Sequence, residues 1–127
     1  MALIRTFRDL RAYQQARIEA NRIFEVTKLF PKEERFSLTD QIRRSSRSVK
    51  SMIAEAWGHR RYPEAFVSKL TDAIGETTET QSWLDDSLDS GYINQAQHQD
   101  LDTAWQNIGG MLANMIGRAD DFCKNAR

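Results

Sequence analysis

Only three stretches of this 127-residue chain carry turn chemistry: FPKEER at 30–35, RRYP at 60–63 and DSGYIN at 89–94. Between them almost nothing would reverse the chain, which holds six glycines and two prolines in all. A sheet protein needs a turn signal roughly every 8–12 residues. This chain must therefore be built from a few long elements. In each interval apolar residues return at steps of three and four, the period of a helix. The expectation is an all-α chain with residues 1–127 forming a single domain. Short connections make neighbouring helices antiparallel, so the architecture expected is an up-down-up-down four-helix bundle.

The first helix is expected from about Phe7 to Leu29, with Phe7, Leu10, Tyr13, Ala16, Ala20, Ile23, Phe24 and Thr27 near one stripe. Pro31 ends it, because the residue before a proline is pushed out of the helical region. The second begins near Ser37 or Thr39, either of which can cap it. Its core face is Leu38, Ile42, Ser46, Val49, Ile53, Ala56 and Trp57, and Ser45, Ser46 and Ser48 let a neighbour come close. Gly58 is a fraying or capping point. The third runs from Pro63, a residue suited to a first helical turn, to Ser90, with Gly91 just past its end. The fourth starts near Asn94 and carries its stripe through Phe122; Gly109, Gly110 and Gly117 inside it read as close-packing positions.

The chain has 18 basic and 18 acidic residues, yet the charge is unevenly placed. Residues 35–61 carry seven lysines and arginines against two acids, and residues 62–102 carry one lysine against nine acids. At about 100° per residue, Arg43, Arg44, Arg47 and Lys50 fall within an arc of about 120° on the second helix, away from its apolar stripe. Arg60 and Arg61 extend the charge to the helix end. Cations packed together with little local acid match a run of phosphates in kind. These six residues are the candidate nucleic-acid contacts. Two plainer readings stand beside this one: a solvated face, or a surface that pairs with the acids of the third helix in another subunit. Aromatic interleaving, which single-strand binding favours, is thin, with only Trp57 and Tyr62 nearby.

Other chemistries find little footing. Bundle metal sites use inward carboxylates with Glu-x-x-His pairs, a motif missing here, and His59 and His98 lie in different segments. No metal or cofactor is expected. Glu55 and Glu79 read as arginine partners across helices rather than as proton-transfer groups. Cys123 has no histidine beside it in sequence, and no glycine-rich loop follows a strand. The chain is therefore expected not to be an enzyme. One cysteine excludes an internal disulfide, and no run approaches the roughly 20 apolar residues of a membrane span. The first thirty residues hold five arginines and no unbroken apolar stretch like a signal peptide. A cytoplasmic location follows as the expectation, with no membrane partner.

Several phrases together carry a family likeness: FRDLRAYQQA, LFPKEERFSLTDQIRRSSRSV, IAEAWGHRR, EAF, AIGETTET and SGYI, in that order along nearly the whole chain. They resemble the four-helix-bundle proteins encoded in intervening sequences of 23S ribosomal RNA genes. That family also includes the accessory variability protein of diversity-generating retroelements. The resemblance implies an antiparallel bundle assembled as a ring-like homo-pentamer without established enzymatic activity. In the retroelement branch it implies binding to RNA or DNA and to a reverse transcriptase. The family usually reads SIPSNIAEG; here Ser48 to Ala56 read SVKSMIAEA, so Lys50 replaces a proline, Met52 an asparagine and Ala56 a glycine. A second helix that is straighter and more basic follows. The leading function is a nucleic-acid-associating accessory protein. The alternative is a protein-interaction scaffold whose charges serve subunit pairing.

Overall fold

Proline and glycine divide the chain where the turn chemistry predicts. The computed structural model describes residues 3–124, and among them it contains five helices, four of them long, and no strand. The helices are α1 (Arg11–Thr27), α2 (Leu38–Gly58), α3 (Pro63–Asp89), α4 (Gln95–Gly117) and a short α5 (Ala119–Cys123). Two 3-10 turns, Phe7–Asp9 and Lys32–Glu34, precede α1 and α2.

Two helix ends differ from the sequence expectation, and local hydrogen bonds explain the first. The Thr6 hydroxyl accepts the Arg8 N–H at 3.1 Å, while the Asp9 carboxylate accepts the N–H groups of Arg5 and Thr6 at 2.8 and 3.0 Å. Those N–H groups hold the Asp9 carboxyl below its ordinary value. This reciprocal cap closes a separate turn at Phe7–Asp9, Leu10 is extended, and the first helix starts at Arg11 rather than Phe7. At the other end the fourth helix stops at Gly117. Arg118 leaves helical geometry, and Phe122 belongs to α5, where it stacks on Phe66 at 5.8 Å.

α4 starts beside Asn94 as expected, and Asn94 caps it, accepting the Gln97 N–H while Gln97 accepts the Asn94 N–H, both at 2.8 Å. Gly91 has φ +76°, the left-handed geometry that glycine supplies freely just past a helix end. The start of α2 works differently. Ser37 occupies the cap position, yet its hydroxyl donates to Glu34 at 2.6 Å, and it is the Glu34 carboxylate that accepts the Leu38 N–H at 3.4 Å. Glu34 also accepts the Tyr92 hydroxyl at 2.8 Å, and the Phe30 ring lies 5.2 Å from that of Tyr92. FPKEER and SGYI are thus stitched together. The hydroxyls of Ser37 and Tyr92 hold the Glu34 carboxyl below its ordinary value.

α2 packs against α1 on one side and α3 on the other; α3 also packs against α4, and α1 meets α4 least closely. The stripes meet in one core that includes Ile23, Ile42, Ile53, Phe66, Leu70, Ile108 and Trp105. Fully burying a side chain of this kind contributes about 1.5–3 kcal/mol, and removing one such as Phe66 costs about 3–5 kcal/mol. Trp57, expected on the core face, is only half-buried. The seam between α2 and α3 contains polar groups that satisfy one another. Ser45 and Thr80 are both fully buried, with their hydroxyls 2.8 Å apart. The expected close packing at the α4 glycines is not found among the described residues. A Cβ on Gly109 would meet only the Thr77 methyl at 3.9 Å, and one on Gly110 or Gly117 would meet nothing within 4 Å.

Candidate nucleic-acid interface

The six cations singled out on α2 and its exit do not form one ridge. Because α2 is flanked by two helices, its basic arc has two edges, and each edge meets different chemistry.

Arg44 faces α3. Its Nε donates to Gln41 at 3.3 Å, one terminal nitrogen reaches both carboxylate oxygens of Glu76 at 3.4 Å, and the other is paired with Glu79. Glu79 is fixed in turn by the Trp83 Nε1–H, which donates to it at 3.1 Å. Glu79 is therefore an arginine partner across helices. Glu55, expected to be another, lies instead 3.5 Å from the ammonium of Lys69.

Arg43, Arg47 and Lys50 face α1. Arg43 is half-buried: its Nε donates to the Thr27 hydroxyl at 2.8 Å and its guanidinium lies 4.7 Å from the Phe24 ring centre. It is partly a packing residue. The Arg47 guanidinium lies 5.3 Å from the same ring, and Lys28 approaches it at 4.8 Å. Beside this ring runs a shallow open groove of about 920 Å³, with Gln14, Arg17, Asn21 and Phe24 on the α1 bank and Arg47 and Lys50 on the α2 bank. Arg22, at its margin, is paired with Glu19 at 2.9 Å and with Asp100. Arg17, Arg47 and Lys50 form no ion pair among the described residues.

Arg60 and Arg61 lie elsewhere. They follow the end of α2, about 15 Å along the axis from Lys50 at about 1.5 Å per residue. Arg60 folds back, its Nε donating to the Trp57 carbonyl at 2.8 Å and its guanidinium 3.4 Å from the Trp57 ring centre. Burial lowers its pKa. Arg61 leans over the exposed Tyr62 ring at 5.7 Å.

The groove adds residues that the sequence reading missed: Arg17, Gln14, Asn21 and the aromatic Phe24. Gln14, Arg17, Ile18 and Asn21 recur at steps of three and four, a second stripe beside the apolar one on α1. That stripe was the available signal. Of the residues weighed for other chemistry, His98 sits 2.8 Å from Asp85, and burial pushes the Cys123 thiol up. Among the described residues no group of three or more His, Cys, Asp or Glu side chains is placed to hold a metal, and no helix is long and apolar enough to cross a membrane.

The fold and its sequence have known relatives. One similar solved structure is the crystal structure of a protein of unknown function from the S23 ribosomal protein family of Bacteroides thetaiotaomicron. It is 27% identical with a TM-score of 0.76, over 84% of this chain and 95% of that one. No curated protein matches the sequence. The family model described as 23S rRNA-intervening sequence protein matches residues 8–114, most of the chain and all four long helices but the end of α4. Matched over these residues, this chain belongs to the family of 23S rRNA-intervening sequence proteins.

Proposed function

We propose that the protein is a non-enzymatic accessory protein of the cytoplasm that associates with nucleic acid through the groove between α1 and α2. One observation carries the reading: Arg17, Arg47 and Lys50 line an open groove and form no ion pair among the described residues. Unneutralised cations lining one groove attract a polyanion, and each phosphate they neutralise releases counterion. Gln14 and Asn21 add amide groups able to bond phosphate or sugar oxygens. Arg43 holds the α1 bank in place, and Arg44 takes no part. The raised pKa of Cys123 supports the absence of a thiol nucleophile.

The four long helices form, in this reading, an antiparallel up-down-up-down bundle that assembles with copies of itself. The exposed side chains of Leu29 (84%) and Phe36 (85%) support assembly, because large apolar groups left open on a small protein favour a partner. The family likeness makes a pentamer the assembly to test, and a ring would repeat the groove and add avidity. A reverse transcriptase is the protein partner that likeness suggests.

The test is binding of a labelled oligonucleotide across a salt series. Affinity is expected to fall linearly on a logarithmic plot, with a slope of roughly −0.7 to −0.9 for each phosphate neutralised. Changing Arg17, Arg47 and Lys50 together to glutamate is expected to lower affinity at least about 100-fold while helicity and assembly persist. Loss of assembly in that variant favours the alternative, a scaffold whose charges pair subunits. Arg44 is already paired with α3 acids of its own chain, so that alternative would rest on Arg17, Arg47 and Lys50. Absence of binding by the wild type at low salt overturns the nucleic-acid reading.

A further inference from the structure

The arc of α2 cations contains one guanidinium with no nitrogen left over. Arg44 uses Nε on Gln41, one terminal nitrogen on Glu76 and the other on Glu79. Its side chain is 45% exposed, and it lines a shallow surface hollow together with Arg47, one helical turn away. Glu76 and Glu79 are more enclosed, at 18% and 35%, and the Trp83 Nε1–H keeps Glu79 aimed at Arg44. A carboxylate pair that meets a guanidinium edge-on presents it with the oxygens a phosphate would present. The cluster of one arginine and two glutamates carries a net charge of −1.

We infer that Glu76 and Glu79 act as a built-in phosphate substitute that holds Arg44 out of the nucleic-acid surface, so that a bound strand follows the α1 edge of α2 and is turned away from the α3 edge. The inference rests on the proposed nucleic-acid reading and adds to it a direction and a limit. Without the glutamates, Arg44 would widen the basic surface toward α3 by one phosphate contact. With them, that edge repels a phosphodiester backbone. Displacing them requires a phosphate to compete with two partners already in place, one of them fixed by an indole N–H.

Replacing both acids by their amides tests this, since glutamine keeps the shape and keeps an oxygen for Trp83. The Glu76→Gln, Glu79→Gln variant is compared with a charge-matched control, Asp72→Asn with Asp86→Asn, whose carboxylates are exposed on α3 and form no ion pair among the described residues. With a labelled single-stranded oligonucleotide, the glutamine variant is expected to bind roughly 5- to 10-fold more tightly than the control. Its salt slope should steepen by about 0.7–0.9, one further phosphate. Adding Arg44→Ala to it should return both quantities to the control's values. Equal affinities of variant and control, or failure of Arg44→Ala to reverse the gain, overturn the inference and leave the groove reading standing. If neither wild type nor variant binds at low salt, the nucleic-acid reading falls and the inference with it. Circular dichroism checks the fold. Should the double variant unfold, Glu76→Gln alone, which leaves Trp83 untouched, is expected to give a smaller gain of the same sign.

Discussion

The two edges of α2 carry the same kinds of residue and put them to opposite uses. Toward α3, serine, threonine, arginine and glutamate are consumed within the chain: Ser45 meets Thr80, Arg44 meets Glu76 and Glu79, and Glu55 meets Lys69. Toward α1, Arg47 and Lys50 stand beside an open groove, and only Arg43 is tied down, to Thr27 and Phe24. The neighbour decides the role. α3 brings carboxylates and small hydroxyls to its seam, whereas α1 brings an arginine, two amides and a ring. A polar residue that is saturated holds a fold together; the same residue left unsaturated is available to a ligand.

By this contrast, substitutions of residues whose polar groups are saturated within the chain should cost stability, and those of Arg47 and Lys50 beside the groove should not. The largest effect is expected from Thr80→Val, which strips a fully buried partner from Ser45. Because Ser45 keeps a bond to the Ile42 carbonyl at 3.3 Å, the cost should be about 1–2 kcal/mol by urea denaturation. Arg43→Ala comes next, at about 1 kcal/mol for the lost contact with Phe24 and the bond to Thr27. This substitution sharpens the contrast, since it should weaken oligonucleotide binding less than Arg47→Ala does. Arg44→Ala is expected to cost about 0.2–1 kcal/mol, because its pair is half exposed, and the difference should shrink in 1 M salt. A cost unchanged by salt would mean that the cluster acts by packing. The smallest effect is expected from Lys50→Ala, within about 0.5 kcal/mol. A loss there as large as that of Thr80→Val would break the comparison outright.

Much of the fold was legible because it is punctuated. Pro31, Pro63 and Gly91 act through fixed backbone geometry, which a reader of the sequence can apply without knowing any neighbour. The breaks at Leu10 and Arg118 were hidden for the opposite reason. The apolar stripe runs on through Phe7 and again through Phe122, and a period cannot register a single residue that leaves the helix. The Thr6–Asp9 spacing was the overlooked sign of the first break, a cap three residues long. The candidate site was legible only as an arc. Angles around one helix place Arg44 and Arg47 about 60° apart, yet one lies among carboxylates and the other beside a groove. That outcome depends on which helix lies on which side, information that no single-helix projection contains. Gly110 and Gly117 misled similarly. Both are exposed on α4, and no neighbour among the described residues requires a glycine there.

The three tryptophans have a consequence for watching the molecule at work. Trp83 donates its indole proton to the Glu79 carboxylate, Trp57 lies under the Arg60 guanidinium, and Trp105 is fully buried with no acceptor for its Nε1–H among the described residues. In a proton–nitrogen NMR spectrum each indole should therefore give its own resonance: one shifted by a carboxylate, one by a nearby cation, one shielded from solvent. Release of Arg44 by a phosphate would move the first and leave the third where it was. Labelled with nitrogen-15, the chain carries three indole reporters, one at the α3 edge, one at the exit of α2 and one in the core.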